Sequence, residues 1–184
     1  DSGYGATIQF EDSLLERFSP NNNEQDEALL VGDGSYETIT LAGGCFWCTE
    51  AYFQEAAGVI TAISGYAGGD ESDAQYLSVA KGTTKHRESV QVSYDPQIIS
   101  LEQILDIYWN HIDPTNQEGQ FADRGFQYTT AIFYHSPEQE QAAQDSKMRL
   151  EKSGVFDTAI ATQILPFSTF LKLKNTIKIT TKNH

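Results

Sequence analysis

The sequence predicts a sandwich of the α/β or α+β class, in which helices cover a β-sheet. Its 184 residues match the size of one domain, which is large enough to bury a core without disulfides or metals. Short runs with alternating or β-branched residues are typical of strands, and they are interleaved with stretches of helical spacing. The gaps between the predicted strands are too long for tight hairpins, so the order of elements indicates a layered domain.

The strands and helices are predicted in a regular order. Strands are predicted at residues 36–41, 59–66, 88–94, 128–135 and 159–165, and helices at 50–57, 73–82, 101–108 and 137–154. Ser100 and Gln103 form a capping box, and Ser136 caps another helix, with Pro137 in its first position. In the strand at 88–94 apolar and polar residues alternate, which predicts burial on one face only.

The composition argues against several classes of function. The formal net charge is −14 and the isoelectric point is near 4.5, which disfavours binding to nucleic acid or to an anionic membrane surface. No stretch reaches the length of a membrane-spanning helix. Because the sequence starts with Asp1 rather than Met, we expect a processed chain, cytoplasmic by default, with an envelope or organelle location equally consistent. We also expect a monomer.

Two glycines and two cysteines lie where a predicted strand meets a predicted helix. The segment at residues 43–50 reads GGCFWCTE and contains both cysteines of the chain, Cys45 and Cys48. Glycines allow a tight turn, and the start of a helix offers unpaired N–H groups and the positive end of the helix dipole. Because such a position lowers the pKa of a thiol toward neutrality, the segment predicts a nucleophilic Cys45.

Other uses of the cysteines compete with this interpretation. Free cysteines in globular proteins are most often inert buried thiols, but such a role needs neither paired glycines nor adjacent aromatic residues. A zinc site needs four ligands, and the chain has one C-x-x-C and no second pair. C-x-x-C also fits a thioredoxin-like dithiol. A nucleophilic or redox-active thiol is therefore favoured over a structural cysteine, and both are favoured over a metal site.

Several motifs follow this segment along the chain. They are GYAGG at 65–69, Tyr76, HRE at 86–88, DPT at 113–115, DRGFQY at 123–128 and TAIF at 130–133. With Gly-Cys-Phe-Trp and Glu50, five residues after Cys45, they resemble the peptide-methionine (S)-S-oxide reductases, the A-type methionine sulfoxide reductase family. The resemblance runs from about residue 38 to about residue 166. Thr129 departs from it, since the family usually has an arginine there.

The resemblance implies a fold and an activity. The fold is α+β, an α/β sandwich with a mixed, largely antiparallel sheet, packed helices and a ferredoxin-like core. The activity is the thiol-dependent reduction of methionine-S-sulfoxide, free or in proteins, to methionine, which repairs proteins after oxidation. No metal or organic cofactor is implied, because an external thiol, thioredoxin or another, supplies the electrons.

The resemblance also implies roles for individual residues. Cys45 is the nucleophile, and Glu88 is a buried carboxylic acid that gives a proton to the sulfoxide oxygen. The tyrosines Tyr76 and Tyr128 bind that oxygen. The remaining site residues support or line the pocket: Asp123 supports the hydrogen-bond network, Phe46 and Trp47 surround the methyl group, and Glu50 lies behind them near the helix that carries Cys45.

Cys48 is the internal thiol that is available to regenerate Cys45. Reduction of a sulfoxide leaves Cys45 as sulfenic acid, and Cys48 lies one helical turn away, so the two can form a disulfide that thioredoxin reduces. Alternatively, an external thiol attacks the sulfenic acid directly and Cys48 only packs. Two other functions stay open: a general dithiol–disulfide oxidoreductase that uses Cys45 and Cys48, and an inactive protein that binds methionine sulfoxide.

The chain is predicted to have three parts. Residues 1–35 are acidic and polar and form a mobile N-terminal extension. Residues 36–168 form the catalytic domain of the methionine sulfoxide reductase type. Residues 169–184 form an atypical tail with four lysines and no acidic residue. We interpret this tail as an out-of-frame reading that begins near Phe170, and sequencing of the gene across that point tests the interpretation.

Overall fold

A computed structural model describes residues 15–18, 35–70, 72, 78–79 and 81–173. Three helices lie wholly within these ranges: α1 (Phe46–Gln54), α2 (Leu101–His111) and α3 (Pro137–Lys152). The strands are β1 (Leu15–Phe18), β2 (Glu37–Ala42), β3 (Val59–Ala67), β4 (Arg87–Tyr94), β5 (Gly119–Gln120), β6 (Asp123–Arg124), β7 (Ala131–Tyr134), β8 (Gln163–Pro166) and β9 (Phe170–Leu173). A 3₁₀ turn spans Phe126–Tyr128.

Seven of the strands form one mixed sheet in the order β1-β9-β3-β4-β2-β7-β8. Its neighbouring strands are antiparallel except for β7 and β8, which are parallel. Within it, β2-α1-β3-β4-α2-β7 follow in the chain and their strands lie in the order β3-β4-β2-β7. This arrangement is ferredoxin-like, so the predicted α+β fold with a mixed, largely antiparallel sheet is confirmed.

The sheet is covered on both faces. The larger apolar cluster joins one face to the helices and includes Leu41 and Val90, which are partners in β2 and β4. On the other face a smaller cluster contains Ala42, Phe133 and Phe170. All eight residues of β4 are buried as a result. The prediction that this strand is buried on one face only is therefore wrong, because Ser89, Gln91 and Ser93 on its polar face are at most 3% exposed.

The helix starts agree with the sequence at two of three positions. The side chain of Ser100 accepts a hydrogen bond from the N–H of Gln103, whose side chain accepts one in return, and the side chain of Ser136 caps α3. The first helix begins at Phe46, four residues earlier than predicted, with Cys45 as its N-cap. Most of the helix predicted at 73–82 lies outside the described residues, and so does Tyr76.

The two ends of the chain are described only in part. Leu15–Phe18, within the predicted N-terminal extension, pairs with β9. Phe170 and Leu171 are buried where β9 pairs with β3. Residues 1–14 and 19–34 of the extension, and residues 174–184 of the tail, lie outside the description. The division into three parts and the out-of-frame interpretation therefore stay predictions.

Candidate active site

Cys45 lies in the turn between β2 and α1. Gly44, just before it, has a φ of +89°, a conformation that residues with a side chain rarely adopt. A Cβ at this position would also lie 2.7 Å from the Cβ of Gln120. Gln120 is buried and its side-chain amide binds the backbone of Asp113 at both ends. The turn therefore requires glycine, and it places the sulfur of Cys45 at the start of a helix.

The pKa of Cys45 results from two opposing effects. Burial of the thiol raises the pKa above its ordinary value of 9.0, and the charges of Cys48 and Glu88 add to this. The backbone N–H groups of Cys48 and Trp47 lower it, although the sulfur forms no side-chain cap hydrogen bond. Because burial is the largest effect, the net pKa is raised. The expectation of a lowered pKa is wrong for the substrate-free protein.

Glu88 reaches the same helix start from β4. Its Oε2 accepts a hydrogen bond from the N–H of Phe46 at 3.1 Å, and the residue is 7% exposed. Burial raises the pKa of Glu88 from 4.5 to about 7, the N–H of Phe46 opposes this rise, and the nearby charge of Asp123 adds to it. The carboxyl group of Glu88 therefore titrates near neutral pH, next to the residue that follows Cys45.

Asp123 and Tyr128 come from the loop that joins α2 to β7. Asp123 is exposed and lies in β6, which pairs with β5. Tyr128 is half-buried and ends the 3₁₀ turn, whose N–H groups at Tyr128 and Thr129 bind the backbone of Gly125 and Phe126. The charge of Asp123 acts on Glu88. The structure therefore places Asp123 and Tyr128, which were both predicted as site residues, on the same connection between α2 and β7.

The two aromatic residues after Cys45 differ in burial. The ring of Phe46 is buried, with its centroid 5.6 Å from that of Tyr66 and 5.9 Å from that of Trp47. Trp47 is 69% exposed, as is Phe121 in the loop after β5. Phe46 therefore packs in the core while Trp47 presents an apolar surface beside Cys45.

Glu50 anchors the helix of Cys45 to the sheet. Its Oε2 accepts hydrogen bonds from the hydroxyl of Ser64 and from the N–H of Ser64, the latter at 3.1 Å. Gln54, one turn later, donates to Oε1 at 2.8 Å. The supporting role of Glu50 stays a prediction, and Ser64 is a partner that no pattern in the sequence had indicated.

Cys48 lies on the exposed side of α1. Both cysteines are free, with Cys45 half-buried and Cys48 exposed. Cys45 is the N-cap, so Cys48 is the third residue of the helix, and the charge of Cys48 acts on Cys45. An external reductant can therefore reach Cys48.

The contacts that Thr129 and Gln120 make could not be predicted from the sequence. Thr129, the departure from the family's usual arginine, accepts a hydrogen bond from Nε of Arg87 at 2.8 Å. Gln120 supports the glycine turn, but the sequence shows it only as one polar residue in a polar loop. Neither contact has a signal in spacing or composition, because each joins residues far apart in the chain.

The described residues contain neither a clustered set of metal ligands nor a membrane-spanning helix. No group of three or more His, Cys, Asp or Glu side chains among them is placed to hold a metal ion. None of the helices in that part of the chain is both long and apolar enough to span a membrane.

The sequence matches a known family and named relatives. The family described as peptide methionine sulfoxide reductase matches residues 37–177. The peptide methionine sulfoxide reductase MsrA/MsrB of Vibrio cholerae is 46% identical over 136 residues, which cover 74% of this chain and 36% of that protein. The peptide methionine sulfoxide reductase MsrA of Bacillus licheniformis is 47% identical over 134 residues, which cover 73% of this chain and 74% of that protein.

Solved structures share the fold. Reduced Mxr1 from Saccharomyces cerevisiae has a TM-score of 0.69 and 33% identity, covering 73% of this chain and 78% of that one. Methionine sulfoxide reductase A of Corynebacterium diphtheriae has a TM-score of 0.65 and 30% identity, covering 76% of this chain and 71% of that one. Mxr1 from Saccharomyces cerevisiae in complex with Trx2 has a TM-score of 0.54 and 26% identity, covering 73% of this chain and 78% of that one. The chain therefore belongs to the peptide methionine sulfoxide reductase family, as its motifs predicted.

Proposed function

We propose that the protein reduces methionine-S-sulfoxide, free or in proteins, to methionine through a sulfenic acid on Cys45. One observation carries the proposal: the buried carboxyl group of Glu88, with a pKa of about 7, accepts the N–H of the residue that follows Cys45. A thiol nucleophile and a proton donor thus lie at one helix start, and the reduction of a sulfoxide by a thiol needs both groups.

The two groups share one proton at pH values above about 7 and below the raised pKa of Cys45. The pKa of Glu88 is about 7, and that of Cys45 is raised above 9.0. Between these values the pair carries a single proton, mainly on the sulfur. Its transfer to the carboxylate creates a thiolate and a neutral acid together. The reactive form is therefore a minor one, but its population does not change across this pH range.

The reaction balances with these two groups. The oxygen of the sulfoxide passes to the sulfur of Cys45 and receives the proton of Glu88, so the products are methionine, a sulfenic acid and a Glu88 carboxylate. The cysteine sulfur loses two electrons and the methionine sulfur gains them. We assign Tyr128 to the sulfoxide oxygen, with Tyr76 as its expected partner, and Phe46 and Trp47 to the methyl group.

Cys48 completes the cycle. Its thiol attacks the sulfenic acid sulfur of Cys45 and releases water, which leaves a disulfide at the protein surface. A thioredoxin-like reductant then returns both thiols. The exposure of Cys48 supports this step, and so does the existence of Mxr1 in complex with Trx2. The epimer follows from the relatives named MsrA, because one enzyme acts on each sulfoxide epimer.

Intact mass spectrometry tests the sequence of steps. Reduced protein receives one equivalent of an S-epimer methionine sulfoxide peptide without external reductant. We expect the peptide to be converted to its methionine form, and we expect the mass of the protein to fall by about 2 Da because the disulfide closes. In Cys48→Ser we expect the same methionine release with a gain of about 16 Da from the stable sulfenic acid. A gain of that size in the wild type would assign regeneration to an external thiol.

Glu88→Gln separates this function from the alternatives. Gln keeps an acceptor for the N–H of Phe46 but has no proton to donate, so methionine release should slow by about 10²–10⁴-fold. A general dithiol oxidoreductase would be unaffected, because it needs only Cys45 and Cys48. If Glu88→Gln forms methionine at the wild-type rate, the assigned proton donor is wrong. If the wild type forms no methionine, the remaining function is binding of the sulfoxide without reduction.

A further inference from the structure

Arg87 is a buried cation with neutral partners. The residue is 5% exposed. Its Nε donates to Oγ1 of Thr129 at 2.8 Å, and Nη2 donates to Oε1 of Gln163. The Cζ of the guanidinium lies 4.4 Å from the centroid of the Phe126 ring. Among the described residues, no carboxylate forms an ion pair with Arg87.

The positive charge of Arg87 is therefore not compensated within the described part of the chain. A buried charge is costly unless it is paired. Burial lowers the pKa of the Arg87 guanidinium. A guanidinium has five N–H donors, of which two are used toward Thr129 and Gln163. The remaining donors are suited to an anionic acceptor.

A cavity of about 300 Å³ lies beside this group, and we call it the Arg87 pocket. Besides Arg87, its polar lining comes from Thr129 and Thr130 and from the side-chain amides of Asn116, Gln117 and Gln163. Gln117 and Gln163 are exposed, so the pocket is open to solutes. No acidic side chain lies among the described lining residues, although the chain has a net charge of −14.

The Arg87 pocket is separate from the site of Cys45 but adjacent to it. Arg87 and Glu88 are consecutive in β4, so their side chains lie on opposite faces of the sheet. Glu88 faces α1, where it accepts the N–H of Phe46. Thr129, which binds Arg87, directly follows Tyr128. A molecule in the pocket would therefore contact neighbours of two proposed site residues.

We propose that the Arg87 pocket binds an oxyanion of the carboxylate or phosphate class. The fork of the guanidinium matches the geometry of two oxyanion oxygens, and the surrounding amides supply further neutral donors. Two sources offer this chemistry: an acidic side chain close to the oxidised methionine of a protein substrate, or a free inorganic oxyanion. Only the choice between them rests on the proposed function, because binding itself does not depend on activity.

Titration of the reduced full chain with inorganic phosphate tests the binding. At constant ionic strength, calorimetry gives the affinity and the NMR signal of the Arg87 Nε–H reports the location. We expect a saturable shift of this signal, and an affinity that falls at least about tenfold in Arg87→Lys, which keeps the charge but loses the fork. Arg149→Gln, which removes an exposed arginine of α3, should bind as the wild type does.

The absence of a saturable shift with phosphate and with acetate would overturn the proposal. An equal affinity of Arg87→Lys would do the same. If Arg87→Lys does not fold, the shift of the wild-type Arg87 signal still decides the question. Methionine release by the same wild-type sample shows whether the proposed function holds, so the two failures are distinguishable.

Kinetics with paired peptides then identify the source of the anion. Methionine sulfoxide peptides with Glu or Gln beside the sulfoxide are compared in the wild type and in Arg87→Lys. A KM about tenfold lower for the Glu peptide, lost in the variant and competed by phosphate, indicates a substrate carboxylate. Equal KM values for the two peptides, together with phosphate binding, indicate a free oxyanion.

Discussion

Replacing Glu88 by glutamine removes a carboxyl group whose ionisation opposes folding. The pKa of Glu88 is raised from 4.5 to about 7 in the folded protein. The resulting stabilisation of the neutral acid is complete below about pH 4.5 and is lost as the pH rises through 7. Each pKa unit corresponds to about 1.4 kcal/mol, so ionised Glu88 lowers the free energy of unfolding by about 3 kcal/mol. Glutamine is neutral at every pH and avoids this loss.

The assay is urea unfolding of the wild type and Glu88→Gln at a series of pH values from 4.5 to 8.5. The free energy of unfolding of the variant, minus that of the wild type, should increase by about 3 kcal/mol between these limits. Glu55→Gln is the matched control, because it removes an exposed carboxylate at the end of α1 from the same acidic chain. A difference that stays constant with pH would refute the reasoning, since it would mean that Glu88 titrates alike in both states.

The remaining predictions concern the Cys45 turn and the shared proton. The kcat/KM for a methionine sulfoxide peptide should rise with pH through about 7 and fall above the raised pKa of Cys45; a rate that falls through pH 7 would contradict proton sharing with Glu88. In Cys48→Ser, the rate at which iodoacetamide alkylates Cys45 should keep rising with pH to a value above 9, since burial raises the pKa of this thiol. A midpoint of this pH profile near neutrality would contradict the raised pKa. Gly44→Ala should be destabilised by more than about 2 kcal/mol and lose activity, since it combines a φ of +89° with a Cβ only 2.7 Å from another side-chain carbon. Its control is Gly154→Ala, where φ is +69° and the space is open, so that only the backbone cost of about 1–2 kcal/mol applies; equal losses in denaturant unfolding would argue against the clash.

The amino-acid sequence by itself determined the family, the order of elements and the nucleophile. These features are local: β2, α2 and α3 follow from periodicity and capping residues within a few positions, and Cys45 follows from the glycines and cysteines of one segment. The α+β fold and the reductase family were predicted from motifs, and both are confirmed. The individual roles of the site residues stay predictions that the proposed experiments test.

The tertiary structure decided the features that depend on burial. Helix position alone predicted a lowered pKa for Cys45, but partial burial of the thiol in the folded chain reverses the direction. The raised pKa of Glu88 in β4 arises from burial and from the charge of Asp123 in β6, against the opposing N–H of Phe46 in α1, and these residues are far apart in the chain. The Arg87 pocket is built in the same way, from β4 and the segments on either side of β7. A sequence pattern reports spacing along one element, whereas desolvation depends on which distant elements cover a group, so only the folded chain determines the charge state of its site.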